Sequence, residues 1–185
     1  VVDLVAGPLT VNATNGNNAI NVGRTGGGNG LVSVDGFEAI EFANKTTLTV
    51  NALAGSDTIN VVPINNAAAL SGGITVNAGD PSGSDILTVN STVGGGVEDI
   101  VVTPVATGFS QVSGAGANSV SGLGIEHLTV VGQSADNDRL RILGSAPNNG
   151  NDTLEYTPGS TADSGAVTGF RANGPAYPFV PVEFR

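Results

Sequence analysis

The chain has 185 residues, with 28 Gly and 9 Pro but no Cys, Met or Trp, and 16 acids against six cations give a formal charge of −10. The missing cysteines exclude a disulfide framework and a thiolate metal site. So acidic a surface disfavours nucleic acid and anionic membrane as partners, and no apolar run approaches the ~20 residues a membrane helix needs.

Taken in chain order, the elements begin with an apolar strand, Val1-Val2-Asp3-Leu4-Val5. A start without an initiator methionine reads as a processed chain or a segment of a longer one. Leu9-Thr10-Val11-Asn12-Ala13 follows, and returns as Leu48-Thr49-Val50-Asn51-Ala52, as Ile74-Thr75-Val76-Asn77-Ala78 and, more weakly, as Leu128-Thr129-Val130-Val131-Gly132. After each triplet a polar loop leads to a second strand: Gly16 to Val22, Gly55 to Val61, Gly83 to Val89. Asp136 to Ile142 and Gly150 to Tyr156 read as degenerate copies of it. A third element, Gly36 to Phe42, precedes the second triplet as Gly122 to His127 precedes the fourth. Gly26-Gly27-Gly28 and Gly94-Gly95-Gly96 read as corner loops, because no Lys-Ser/Thr follows to make a phosphate loop.

Each strand alternates apolar and polar residues, so one face seeks a core that a short strand cannot build alone. Stacking equivalent strands solves this, and it predicts an all-β parallel β-solenoid (β-helix) over 1–169, with an asparagine ladder through Asn12, Asn51 and Asn77. Tandem antiparallel β-sandwich modules divided within 90–100 are the alternative, weakened by the shortage of large aromatics. Residues 170–185 form a separate arm. Phe170, Tyr177, Phe179 and Phe184 crowd there beside Pro175, Pro178 and Pro181, favouring an extended course.

The Gly-x-Asp-x-hydrophobic units and the Gly-Phe-Glu-x-Ile-Glu segment resemble large secreted β-strand-repeat surface proteins of planctomycete-type environmental bacteria. The closest stretches are Val76 to Asp85, Leu128 to Val130 and Asn151 to Gly159. That resemblance, which covers most of 9–169, implies a calcium-binding-like or adhesin-like protein at the cell surface or outside the cell. Gly55 to Ile59 and Gly150 to Leu154 are also similar to half of the calcium-binding nonapeptide of type-I-secreted toxins. Here the motif stands singly, without the uninterrupted repeat a calcium roll requires.

The residues point away from an enzyme. His127 is the sole histidine and alternates with apolar neighbours on a strand, a place that suits a surface residue better than a general base. Glu38 and Glu41 lie three apart on a strand and face opposite sides, as do Glu98 and Asp99, so neither pair makes a glycosidase dyad. No cofactor is required; calcium is the ion the sequence leaves open, at Asp57, Asp80, Asp85, Asp136, Asp138 and Asp152, whose Gly/Asn/Ser loops are rich in hard oxygens. The competing role for the Asp of Gly-x-Asp is to cap its own turn. Sequons at Asn12, Asn44, Asn90 and Asn151 mark glycosylation acceptors.

Two functions fit. One is a structural protein, a unit of a filament, sheath or giant surface protein, meeting copies of itself head to tail or adjacent repeats of a longer chain. The other is an adhesin module for carbohydrate or calcium. For the first, the expected contacts are Val1, Val2, Leu4 and Val5 at one end and Phe170, Tyr177, Phe179 and Phe184 at the other.

Overall fold

The computed structural model describes residues 1–62, 64, 70–79, 84–91, 96–106, 108–116, 118–133, 137–144, 152–161, 163–171, 177–178 and 180–185. These residues form strands and turns without a helix. The chain opens with β1 (Val2–Asp3), β2 (Gly7–Asn12) and β3 (Ala19–Arg24), continues through β4 (Gly30–Val34), and then lays β5 (Ile40–Phe42), β6 (Lys45–Asn51) and β7 (Thr58–Val61) alongside the first three. A third pass supplies β8 (Ile74–Asn77) and β9 (Ile86–Asn90). Next come β10 (Asp99–Ala106) and β11 (Phe109–Ser113), and a fourth pass brings β12 (Val120–Leu123) and β13 (His127–Val131). The last elements are β14 (Arg139–Ile142), β15 (Asp152–Pro158), β16 (Gly165–Arg171), β17 (Tyr177–Pro178) and β18 (Val182–Phe184).

Two mixed sheets result. The smaller runs β14-β10-β11-β12-β8-β6-β2; the larger runs β1-β5-β4-β3-β7-β9-β13-β18-β16-β15, with β17 beside β16. The middle of each sheet is parallel and in register. Leu9, Leu48 and Ile74 align, as do Val11, Val50 and Val76. In the larger sheet Ile20, Ile59, Leu87 and Leu128 align. Strands on both sides of residues 90–100 join the same two sheets, so no boundary falls there.

Period-2 alternation explains the burial. In β6, Leu48 and Val50 turn inward and are fully buried, while Thr47, Thr49 and Asn51 turn outward. Both sheets feed one apolar cluster of Val, Ile, Leu and Ala, with Phe42 as its large ring. Small β-branched side chains suit this narrow interior, since they fill a pleated surface with little rotamer entropy to lose. At the corner after β8, Gly79 has φ +103°, and a Cβ there would stand 1.9 Å from the carbonyl oxygen of Leu53 on the preceding pass. Only glycine lets the two backbones approach so closely.

Three expectations are corrected. Leu128-Thr129-Val130 does not continue the series of Leu9, Leu48 and Ile74; it aligns with Leu87-Thr88-Val89 in the larger sheet, and Val120 to Leu123 take the fourth place in the smaller one. The degenerate copies also belong elsewhere. Arg139 to Ile142 pair with β10 in the smaller sheet, and Asp152 to Pro158 form an antiparallel hairpin with β16. Finally, the pairing is not parallel throughout: β4, β11 and β16 run antiparallel to their neighbours and extend the sheets beyond the central stack. The strand β16 also crosses the expected boundary between 169 and 170.

Candidate functional site

The repeated Gly-x-Asp motif builds a ladder of side chains along the stack. The backbone N–H of Asn18 donates to Asp57 Oδ1 at 2.7 Å, that of Asp57 to Asp85 Oδ1 at 2.7 Å, and that of Asp85 to Glu126 Oε2 at 2.8 Å. Each carboxylate thus caps the pass before it. Asp35 ends the ladder on the N-terminal side, accepting from the Ala19 N–H at 2.6 Å and from Asn18 Nδ2 at 2.7 Å. A parallel ladder runs on the smaller sheet, where Asn51 Nδ2 donates to Asn12 Oδ1 and Asn77 Nδ2 to Asn51 Oδ1, each at 2.7 Å. This is the expected asparagine ladder. A shorter one joins Asn90 Nδ2 to Asn60 Oδ1 at 2.8 Å.

The electrostatics of the carboxylates differ with their surroundings. Burial pushes Asp57 above the ordinary carboxylate range, against the Asn18 N–H and with the nearby charge of Asp35 adding to the rise. Its second oxygen is buried without a hydrogen-bond partner. Asp35 lies below the ordinary range, chiefly because of the Ala19 N–H, with the Asn18 amide adding to it. At Asp138 burial works upward, but the N–H groups of Glu98 and Gln133 prevail and hold the group below its usual value. Both of its oxygens accept these bonds, at 2.9 Å and 3.2 Å.

Of the six carboxylates expected to attract calcium, Asp57 and Asp85 are brought together in the ladder, while Asp138 and Asp152 lie towards the far end of the chain and join neither. Asp80 and Asp136 lie outside the described residues. Among the described residues no three His, Cys, Asp or Glu side chains converge as a metal site would require. Among the sequons, Asn44 Nδ2 donates to the Leu4 carbonyl and Asn90 Nδ2 to Asn60, whereas Asn12 lies exposed at the end of its ladder and contributes its oxygen. Asn151 lies outside the described residues. His127 begins β13, opposite Ile86.

The two ends hold the residues expected to make contacts between copies. Val1, Val2, Leu4 and Val5 are 53–74% exposed. Beside them Lys45, the one lysine, is buried, and its Nζ lies 2.8 Å from Asp3 Oδ2 and donates to the Val5 carbonyl. At the other end β18 extends the larger sheet along β13, Val182 and the preceding Val180 are buried, and Phe184 stacks on Tyr156 with ring centroids 6.1 Å apart. Phe170 and Tyr177 lie on the paired strands β16 and β17, and Phe179 falls outside the described residues. The two sheets part here around a cleft of about 650 Å³ lined by Ile100, Val130, Leu140, Asp138, Phe184 and Arg185. Leu154 and Tyr156 line an adjoining hollow with Leu140, Ile142 and Phe184, and are half-exposed.

Sequence reasoning missed Asn18, Asp35, Glu126 and the Lys45–Asp3 pair. A signal existed for two of them. Gly16-Asn17-Asn18 and Gly124-Ile125-Glu126 repeat the spacing of Gly55-Ser56-Asp57 once Asn and Glu are admitted beside Asp. Compared with models of protein families, with curated proteins and with solved structures, the chain matches none.

Proposed function

We propose that the chain is a β-solenoid unit of an extracellular structural assembly, joined end to end to copies of itself or to adjacent repeats of a longer chain. The observation that carries this reading is the run of in-register ladders, with Asn side chains on one sheet and carboxylates capping the pass before them at the corners. Such ladders satisfy the polar groups of each pass by the next and make the molecule a one-dimensional stack, in which each layer contacts only its neighbours. The large exposed apolar side chains at the two ends, Val1, Val2, Leu4 and Val5 against Leu154 and Tyr156, add support, since a soluble monomer rarely leaves such groups open. No catalytic step and no required cofactor belong to this reading, and calcium, where bound, would stabilise the loops.

Electron microscopy of the purified chain, with light scattering across a concentration series, tests it. Rods or filaments one solenoid wide are the expected result. A chain that stays a monodisperse monomer at high concentration overturns the proposal.

A further inference from the structure

Asparagine is followed by glycine at 15–16, 29–30, 149–150 and 173–174, and the last two pairs lie outside the described residues. Such a pair has a chemistry of its own. With no Cβ on the second residue, its backbone nitrogen has a clear approach to the asparagine side chain. The structure treats the first two pairs in opposite ways. Asn29 Nδ2 donates to Glu41 Oε1 at 2.8 Å, and its carbonyl accepts from the Thr25 N–H at 2.8 Å. Gly30 is buried in β4, paired with Arg24 on one side and Phe42 on the other. Asn15 and Gly16 are both exposed, in the bend between β2 and β3. Among the described residues no hydrogen bond holds the Asn15 side chain, and the Gly16 N–H makes one long contact, 3.3 Å to Thr14 Oγ1. The next two passes carry Ala54-Gly55 and Ser82-Gly83 at the same place, so of the three only the first has asparagine before the motif glycine.

We propose that Asn15–Gly16 is a self-modification site, and that its isoaspartate product loosens the first pass from the second. The Gly16 backbone nitrogen attacks Asn15 Cγ. The new N–C bond closes a five-membered imide, and the side-chain amide leaves as ammonia, taking up the proton of the Gly16 N–H. Water then opens the ring at one of its two carbonyls. Opening at the main-chain carbonyl gives isoaspartate, whose backbone runs through the β-carbon; opening at the other gives ordinary aspartate. The difference between the products matters because of what packs on Gly16. Gly55, at φ +128°, meets it backbone to backbone, and a Cβ there would stand 2.7 Å from the Gly16 carbonyl carbon. Immediately beyond, the Ser56 N–H donates to Asn17 Oδ1 at 2.9 Å and the Asn18 N–H to Asp57 Oδ1 at 2.7 Å. Isoaspartate lengthens the main chain just before this contact and puts Gly16, Asn17 and Asn18 out of step with the second pass. Aspartate leaves the spacing as it was. None of this depends on whether copies of the chain join end to end.

The test is to age the full chain at mildly alkaline pH, in buffer and in unfolding urea, and to follow the pairs by peptide mapping and mass spectrometry. In buffer Asn15 should convert at least about tenfold faster than Asn29, and in urea the gap should close, because only local opening frees a paired strand. Gly16→Ala adds a Cβ whose nearest neighbour is Thr14 Oγ1 at 3.7 Å, so it should keep the fold and lose the conversion at position 15. Asn15→Asp reproduces the ordinary product and should keep the wild-type urea midpoint. The aged isoaspartate fraction should unfold at lower urea than Asn15→Asp. An Asn15 that stays intact in the folded chain, or an Asn29 that converts as fast, overturns the site. An isoaspartate fraction as stable as Asn15→Asp overturns its effect on the stack.

Discussion

At the N-terminal end, β4 folds back antiparallel on β3, and the Phe42 ring lies across Gly30, where an added Cβ would fall 2.2 Å from it. Phe42 and Val32 are buried as completely as the centre of the stack, and the buried Lys45 ties down Asp3 and Val5. At the C-terminal end the same devices are present but do not meet. The β15–β16 hairpin extends the larger sheet and β10–β11 the smaller, yet Leu140 and Ile142 stay half-buried and Tyr156 and Phe184 stack on each other beside the cleft. At the first end one large ring fills the space over a glycine on the neighbouring strand of its own sheet; at the other the two rings pack on each other.

Mutations can break this contrast or sharpen it. The largest effect is expected from Leu48→Ala, which empties a fully buried site and should cost about 2–5 kcal/mol, whereas Leu154→Ala at the C-terminal end should stay within about 0.5 kcal/mol. Urea denaturation of the two variants checks the pair; equal losses would mean that the two ends are packed alike. Next comes Gly79→Ala, expected to cost about 1–3 kcal/mol from its backbone angle alone, with the Leu53 carbonyl adding to that. The matched control is Gly96→Ala, also at positive φ but with open space around it, which should lose less.

Smaller again is Asn51→Ala, which removes a donor and an acceptor from the middle of the asparagine ladder and should cost about 1 kcal/mol by denaturation. Asn12→Ala, at the ladder's end, should cost less. The last prediction concerns slope with pH. Asp57 is raised in the folded chain, so the unfolded chain ionises first as pH climbs from the ordinary carboxylate value, and stability falls until the folded group ionises too. Asp57→Asn keeps an oxygen for the Asn18 N–H and should remove that fall. Asp35 is lowered, so its contribution is present above the ordinary value and lost as pH drops through the folded one; Asp35→Asn should flatten the acid limb instead. Urea midpoints measured across the acid range separate the two.

The contrast between stack and ends also marks what the sequence made legible. The pentads at 9, 48 and 74 align residue for residue because the same side chains recur at the same turn of the chain. The fourth place in that series was hidden. Val120-Ser121-Gly122-Leu123 carries glycine where a core residue belongs, and the methyls of Ile125 and Leu87 fill the space, 2.7 and 2.8 Å from a Cβ at Gly122. Leu128-Thr129-Val130 looked like the missing copy because both sheets use Leu-Thr-Val, as Leu87-Thr88-Val89 shows. Its true place follows from Gly124-Ile125-Glu126, whose acid precedes Leu128 as Asp57 precedes Ile59 and Asp85 precedes Leu87. The hairpins that extend the sheets were not legible, because alternation gives a strand's faces and says nothing of its direction. Nor was the burial of Lys45, whose partners Asp3 and Val5 lie 40 residues and more before it.

The carboxylate ladder has a direction, and that direction bears on how the protein is made. Asn18 waits for Asp57, Asp57 for Asp85, and Asp85 for Glu126, each acceptor arriving later in the chain than its donor. A chain that folded in the order of its sequence would leave one backbone donor unfilled after each pass, and the next carboxylate along the chain is the group that fits it.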